Sequence, residues 1–319
     1  MTVDMPTFTT EVRFTAGASS TGFELGDAIL GYSTLGEAAV WSDVSSDVRN
    51  FSINRGKQRE LDEYNSGSFS VTLDNTARTY DPNNASGAYY GQIKVGRWVK
   101  ITATYDSTDY QLYQGVIRDW AFNYNFPNEA TANISAFDFL TDLNNTNVTT
   151  TTTAALSGTV IGEILNEANI LPRDLDAGQE TFQAVTLASA NALSSLRTAD
   201  KSEGGGLSAI YANTSNQIVF EDRQSLTANA RSNTSQATFG GAALPVADIQ
   251  LEYSGTLIKN NVSLTRIGGA AQVKTDADSI SDYGNRAFTL TGLYNNNDSN
   301  TASIAQSYID AFAEPILRV

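Results

Sequence analysis

The chain has no cysteine and no histidine in 319 residues, and only two methionines and six prolines. Without cysteine there is no disulfide, no thiolate nucleophile and no thiolate metal ligand. Without histidine there is no Ser-His or Cys-His pair and no imidazole-bound zinc, and the commonest general base is missing. Basic residues are scarce as well: 20 Lys and Arg against 35 Asp and Glu leave a formal charge of −15. Such a chain does not seek nucleic acid as a ligand, because phosphate contacts are made by Lys and Arg. It is compatible with DNA sliding past without sticking, although solubility alone accounts for the charge. No apolar run approaches the roughly 20 residues that span a bilayer, so no membrane anchor is expected. The first residues, Met1 to Val12, lack the basic and apolar regions of a secretory leader. Asn-x-Ser/Thr triplets, such as those at Asn84 and Asn261, follow from the abundance of these residue types and do not argue for glycosylation.

What the chain does have is alternation. From Val48 to Pro82 two strand-like runs flank a polar link; in the second, Phe69, Val71 and Leu73 alternate with Ser68, Ser70 and Thr72. That period of two marks a half-buried strand, and Asp74-Asn75 ends it with side chains that favour turns. Arg55-Gly56 ends the first run. An antiparallel pair with a long loop is expected, one face buried and one wet. A strand precedes it at Thr9 to Ala16, and Gly17 to Glu37 reads as a loop or hairpin.

Further strands are expected at Val99 to Tyr105, Tyr110 to Asn125 and Ala130 to Ala136. The first two are joined by a turn at Asp106 to Asp109, and the last two by one at Pro127-Asn128. Trp120, Phe122, Tyr124 and Phe126 share a face, and Gly115 suggests a bulge or bend. Asn144 to Thr153 has no core pattern and reads as a linker. The period then becomes helical: Val160, Ile161, Ile164, Leu165 and Ala168 form one stripe, and Ala192, Leu193, Leu196 and Ala199 another. Ser189 is the expected N-cap of the second helix and Gly204 to Gly206 its stop. A hairpin follows, Leu207 to Tyr211 and Gln217 to Glu221. Strands resume at Ile249 to Leu251 and Ile258 to Arg266, with a turn at Gly268-Gly269. A last helix covers Thr301 to Ala313 before Pro315, and Ile316 to Val319 begins another strand.

The candidates for chemistry each have a plainer alternative. Glu203-Gly204-Gly205-Gly206 follows a helix and lacks phosphate-loop spacing, so a helix stop is favoured. Asp276, Asp278, Asp282 and Asn285, and separately Asp81, Asn83 and Asn84, offer oxygens for Ca²⁺ but lack the EF-hand's glycine and terminal glutamate; solvated loop acids are favoured. Glu24, Glu37, Glu163 and Glu203 are the glutamates from which a two-carboxylate glycosidase would draw. Tyr89, Tyr90, Trp98, Trp120, Phe122 and Tyr124 could stack on sugars, but in strands such residues more often fill a core or interface. Arg55, Lys57 and Arg59 form the densest basic run; Glu60, Asp62 and Glu63 offset it, so a salt-bridge loop between subunits is expected.

Four blocks together resemble a known family. They are Val48…Ile53-Asn54-Arg55-Gly56 with Gly67…Val71-Thr72-Leu73-Asp74-Asn75…Arg78…Asp81-Pro82; Ile93…Gly96-Arg97…Val99…Ile101 with Leu112-Tyr113-Gln114-Gly115-Val116-Ile117…Trp120; Ala192-Leu193…Leu196…Glu203-Gly204-Gly205 with Phe220…Asp222-Arg223; and Asp278-Ser279-Ile280…Tyr283-Gly284…Arg286. In this order they resemble the bacteriophage minor tail proteins of the baseplate-hub (tail hub) kind. The resemblance implies a mainly β fold with two tube-like β-barrel domains flanking a small α/β domain. The boundaries would be 1–145, 146–245 and 246–319, the last barrel unfinished because the sequence is shortened or a neighbour completes it.

The resemblance further implies a structural virion protein, assembled in the bacterial host cytoplasm as a homotrimer. Its neighbours would be the tail tube or distal tail protein and the tail tip or fibre proteins. Genomic DNA would pass through the lumen without specific binding. No enzyme activity, cofactor, metal or catalytic residue is implied. A carbohydrate-binding receptor module of the tail and a virion-associated cell-wall hydrolase stay open as alternatives.

Overall fold

The computed structural model describes residues 5–17, 40–59, 61–125, 127, 129–229, 233–235, 237–240 and 248–318. The fold is mainly β with a minority of helix. The expected loop at Gly17 to Glu37 falls almost wholly on residues outside this description, as do Glu24, Glu37, Glu60, Phe126, Asn128 and Val319.

Seven strands form one antiparallel sheet: β1 (Thr7–Gly17), β2 (Ser42–Asp43), β3 (Val48–Gly56), β4 (Asn65–Asp74), β5 (Arg97–Tyr105), β6 (Thr108–Asn125) and β7 (Glu129–Phe137). Their spatial order is β2-β1-β5-β6-β7-β4-β3. The alternation read from sequence is the one that packs: Phe69, Val71 and Leu73 are buried together with Val99, Ile101, Ala132, Ile134 and Ala136. Fully burying one such side chain contributes about 1.5–3 kcal/mol.

Where a tube-like barrel is expected, no closed barrel is found among the described residues, since no hydrogen-bonded ladder joins the edge strands β2 and β3. The sheet curls instead, and its margins meet through side chains, with the Phe8 and Phe51 rings edge-on at 5.2 Å. Register shifts accompany the curl, among them one between Ile101 and Thr102 opposite β6 and one between Ile117 and Asp119; such bulges bend and twist a strand. Gly115 is not at either of them. A Cβ there would lie 2.8 Å from the Phe137 carbonyl oxygen and against the Tyr113 ring, so its role is close approach. The β5–β6 turn is also tighter than expected: Asp106 and Ser107 both take positive φ and the strand resumes at Thr108. Two positive φ values in sequence match the twist of a two-residue hairpin.

The second layer contains α1 (Phe139–Asn144), β8 (Asn147–Thr151), α2 (Ser157–Glu167), β9 (Arg173–Leu175), β10 (Thr186–Asn191), α3 (Ala192–Glu203), β11 (Ala209–Ala212), β12 (Ile218–Glu221) and α4 (Arg223–Ala228). The expected linker at Asn144 to Thr153 is instead the end of α1 followed by β8, which pairs with β10 and buries Val148. Strand β12 pairs antiparallel with β11 and parallel with β9. The stripes of α2 and α3 share one core with Phe139, Phe182 and Phe220. The N-cap of α3 is Asn191, whose side chain accepts the Ser194 N–H, whereas Ser189 lies in β10. At the other end Gly204 takes φ 148°, and its N–H and that of Gly205 both reach the Asp200 carbonyl.

The remainder comprises β13 (Glu252–Ser254), β14 (Asn261–Arg266), β15 (Gln272–Thr275), α5 (Ala277–Tyr283), β16 (Ala287–Leu293), α6 (Asp298–Phe312) and β17 (Ile316–Arg318). β14 pairs antiparallel with β15 and parallel with β16, and the apolar face of α6 covers Val262, Leu264 and Leu293. β13, placed by the sequence reading at Ile249 to Leu251, lies a few residues later and pairs with β17 as a two-stranded ribbon.

Candidate functional site

Helix α3 belongs to the second core and also packs against β16 and α6 of the third. The loop between β3 and β4 crosses to this helix, where Glu63 receives Arg197 at 2.8 Å and Lys201 at 2.6 Å. The expected salt-bridge loop therefore makes these ion pairs within one chain. The loop's Leu61 packs against the core of α6, and Lys57 stands over the Tyr64 ring at 5.1 Å. Arg55 donates to the carbonyls of Leu112 and Ala212, and Arg59 is exposed.

The far end of α3 joins the α6 unit through buried polar groups. The Ser202 hydroxyl accepts the Tyr294 N–H at 2.8 Å, and Asn295 donates to the Ser202 carbonyl at 2.9 Å. Glu203, fully buried, accepts the N–H groups of Gln179 and Glu180 at 2.9 and 3.0 Å. The Glu180 carboxylate faces Arg223 at 2.8 Å; burial raises its pKa, and Glu203 adds to the rise. Glu203 is thus a structural acceptor of backbone donors. Glu163, the other described glutamate of the sequence reading, accepts from Thr153 instead.

Between the loop, α3 and the α6 unit lies a cavity of about 270 Å³ whose apolar walls include Leu61, Leu193, Ile210, Phe288 and Leu290. Asp200 lines it. Its Oδ1 accepts the Ser208 hydroxyl at 2.6 Å. Burial, with a contribution from Glu63, pushes its pKa up to about 6, against the opposing pull of Ser208, Lys57 and Lys201. The sequence reading passed over Asp200. The signal was present, since Asp200 stands seven positions after Leu193 and four after Leu196 and so falls on the apolar side of α3.

The other candidates are dispersed. Asp81 pairs with Arg78 and accepts the Asn83 N–H, while Asn84 bonds to Ser86 and Arg78, so this loop satisfies itself. Asp276 caps α5 by accepting the Ser279 N–H. Among the described residues no group of three or more Asp and Glu could hold a metal ion. Tyr89 stacks on Phe14 at 3.8 Å and Trp120 on Phe122 at 6.3 Å, both at the first core, whereas Trp98 meets Phe139 in the second. Tyr90 and Tyr124 remain exposed. Among the described residues no helix is long and apolar enough to cross a membrane.

No family model and no curated protein matches this chain. Among solved structures it is similar to a tail protein from Neisseria meningitidis MC58, at 10% identity and TM-score 0.48, over 77% of this chain and 67% of that one. It is similar to the 43 kDa tail protein of prophage MuSo2 from Shewanella oneidensis, at 15% identity and TM-score 0.47, over 84% and 80% of the two chains. It is likewise similar to the prophage tail protein gp18 from Listeria monocytogenes, at 8% identity and TM-score 0.47, over 87% and 76%. None of these likenesses carries a residue or a role onto this chain.

Proposed function

We propose that the chain is a structural protein of a bacteriophage tail, forming the hub or baseplate ring between the tail tube and the tip or fibres. In this reading residues 1–145 and 246–319 are the two ring-forming β domains, and 146–245 is the α/β domain between them. Three copies make the ring, and no substrate is turned over.

The observation that carries the reading is an apolar alternation facing water. Ile249, Leu251 and Tyr253 alternate with Gln250 and Glu252, Tyr253 stands directly opposite Leu317, and all four apolar residues are more than half exposed. Tyr253 and Leu317 share one face of the ribbon, with Ile249 and Leu251 just before it, and exposed apolar surface so gathered marks an interface. The four sequence blocks, in the family's order, support which assembly it belongs to. The charge of −15 per copy is suited to a channel that DNA crosses without sticking.

Light scattering on the purified chain, with two-dimensional class averages, tests this. A ring of three copies supports the reading. A monomer at high concentration that neither forms rings nor binds a tail-tube protein overturns it.

A further inference from the structure

We propose that the β3–β4 loop is a pH-controlled clasp, fastening the first sheet to α3 and the α6 unit more tightly when Asp200 is protonated than when it is ionised. The loop joins β3 and β4 of the first sheet, is tied to α3 by the ion pairs of Glu63 with Arg197 and Lys201, and seats Leu61 against the α6 core. Asp200 sits behind it, at the wall of the cavity.

The charged and titratable groups around Asp200 come from every element packed there. The loop contributes Lys57, Asp62, Glu63 and Tyr64; α3 contributes Arg197 and Lys201; α6 contributes Tyr308. Glu63 already engages both bases of α3, so its own charge is spoken for but still opposes a second carboxylate nearby. Lys57 leans over Tyr64, whose pKa burial raises, with Glu221 and Asp200 adding to the rise. Tyr308 is fully buried and stays protonated, its pKa raised by burial and by Asp200.

An ionised Asp200 therefore has the Ser208 hydroxyl as its neutral donor, in a cavity that Leu61, Leu193, Ile210, Phe288 and Leu290 line beside the charged groups. A carboxylate so placed is stabilised by water drawn into the cavity, which works against the seating of Leu61. A proton on Asp200 removes the demand for water and the repulsion from Glu63 and leaves the Ser208 contact in place; it also gives up the attraction of Lys57 and Lys201, but burial is the largest of these effects. The carboxyl titrates near 6, so the change falls in a mild pH range.

Hydrogen exchange by mass spectrometry on the full chain at pH 5.0 and 7.5, corrected for intrinsic rates, tests the clasp. The peptide spanning 57–64 is expected to open at least fivefold more at pH 7.5, while β4 and β7 peptides keep a ratio near one. The ceiling between these two pH values, set by the displacement from 3.8 to about 6, is about tenfold, because at pH 5.0 an opened carboxyl is already mostly ionised. Asp200→Asn is expected to hold the loop closed at both pH values. Ser208→Ala, which removes a donor to the ionised form, is expected to move the midpoint upward, and it serves as the test if the Asn variant does not fold. Equal opening of the wild type at both pH values overturns the proposal. So does an unaltered pH ratio in Asp200→Asn, or an unmoved midpoint in Ser208→Ala.

Discussion

The Arg55 guanidinium donates to the Ala212 carbonyl at 2.8 Å while its other nitrogen donates to the Leu112 carbonyl at 3.1 Å. Leu112 lies at the register shift where β6 bulges against β5, a place where a ladder loses a partner and a carbonyl is left to be satisfied by a side chain. One side chain thus serves a bulge in the first sheet and ties that sheet to β11. Arg55→Ala is expected to cost about 1–2 kcal/mol in urea unfolding. Arg59→Ala, at an exposed position of the same loop, should stay within about 0.5 kcal/mol. Equal effects would count against the tie.

Gly115 is expected to be intolerant for a steric reason. A methyl group there would press on the Phe137 carbonyl and the Tyr113 ring, and backbone on one side cannot yield cheaply. Gly115→Ala should cost about 1–3 kcal/mol by chemical denaturation. Gly96→Ala is a useful contrast: it has open space around it but φ of 75°, so its smaller cost would be conformational.

Asp200 sets a pH dependence whose sign can be worked out. The folded chain holds this proton up to about pH 6, whereas the unfolded chain releases it near 3.8. The folded state therefore binds more protons between these values, and this stabilising contribution is lost as pH rises through about 6. About two units correspond to at most about 3 kcal/mol, less for the solvent that reaches the carboxylate through the cavity. Asp200→Asn should raise the melting temperature by a few degrees at pH 7.5 and by almost nothing at pH 4. A uniform shift at both would deny the group its role.

The exposed ribbon gives a test on assembly. Tyr253→Asp and Leu317→Asp place charge on the shared face of β13 and β17 without disturbing a buried core. Each should reduce self-association at least tenfold by sedimentation while leaving the melting temperature of the isolated chain within about 2 °C. Unchanged association would detach this face from the interface.

Asp138 is expected to be one of the costlier positions in the first half. Its carboxylate accepts the Gly67 N–H at 2.5 Å, the Ser66 hydroxyl at 2.7 Å and the Leu140 N–H at 3.1 Å, capping α1 and anchoring β4 at once. Asp138→Ala strands these donors and should cost about 2–4 kcal/mol by urea unfolding. A loss under 1 kcal/mol would show the cap to be dispensable.

The elements legible in the sequence were those with enough residues to show a period. β4, β5 and β7 each put three or more apolar residues on one face, and α2, α3 and α6 each carry a stripe several turns long. β8 was hidden because Val148 is its single buried apolar residue, and its partner β10 begins thirty-five positions later at Thr186 opposite Thr151. β9, Arg173-Asp174-Leu175, is too short for any period and exists because β12 supplies a parallel neighbour. α1 has a single turn and a half, with Asp138 as its one local sign. The ion pairs of Glu63 and the enclosure of Asp200 were illegible for a different reason, since each depends on which helix the loop happens to cross.

The strand order of the first sheet also has a consequence for how the chain is made. Phe8 pairs with Ala103, so β1 leaves the ribosome long before the strand it needs has been synthesised. The hairpins β3–β4 and β5–β6–β7 can zip up from near neighbours, whereas β1 must wait for β5 before its long ladder can form at the margin of the sheet. Until β5 is made, Val12 and Phe14 have only the short β2 beside their strand, so their burial is among the last events in the first core.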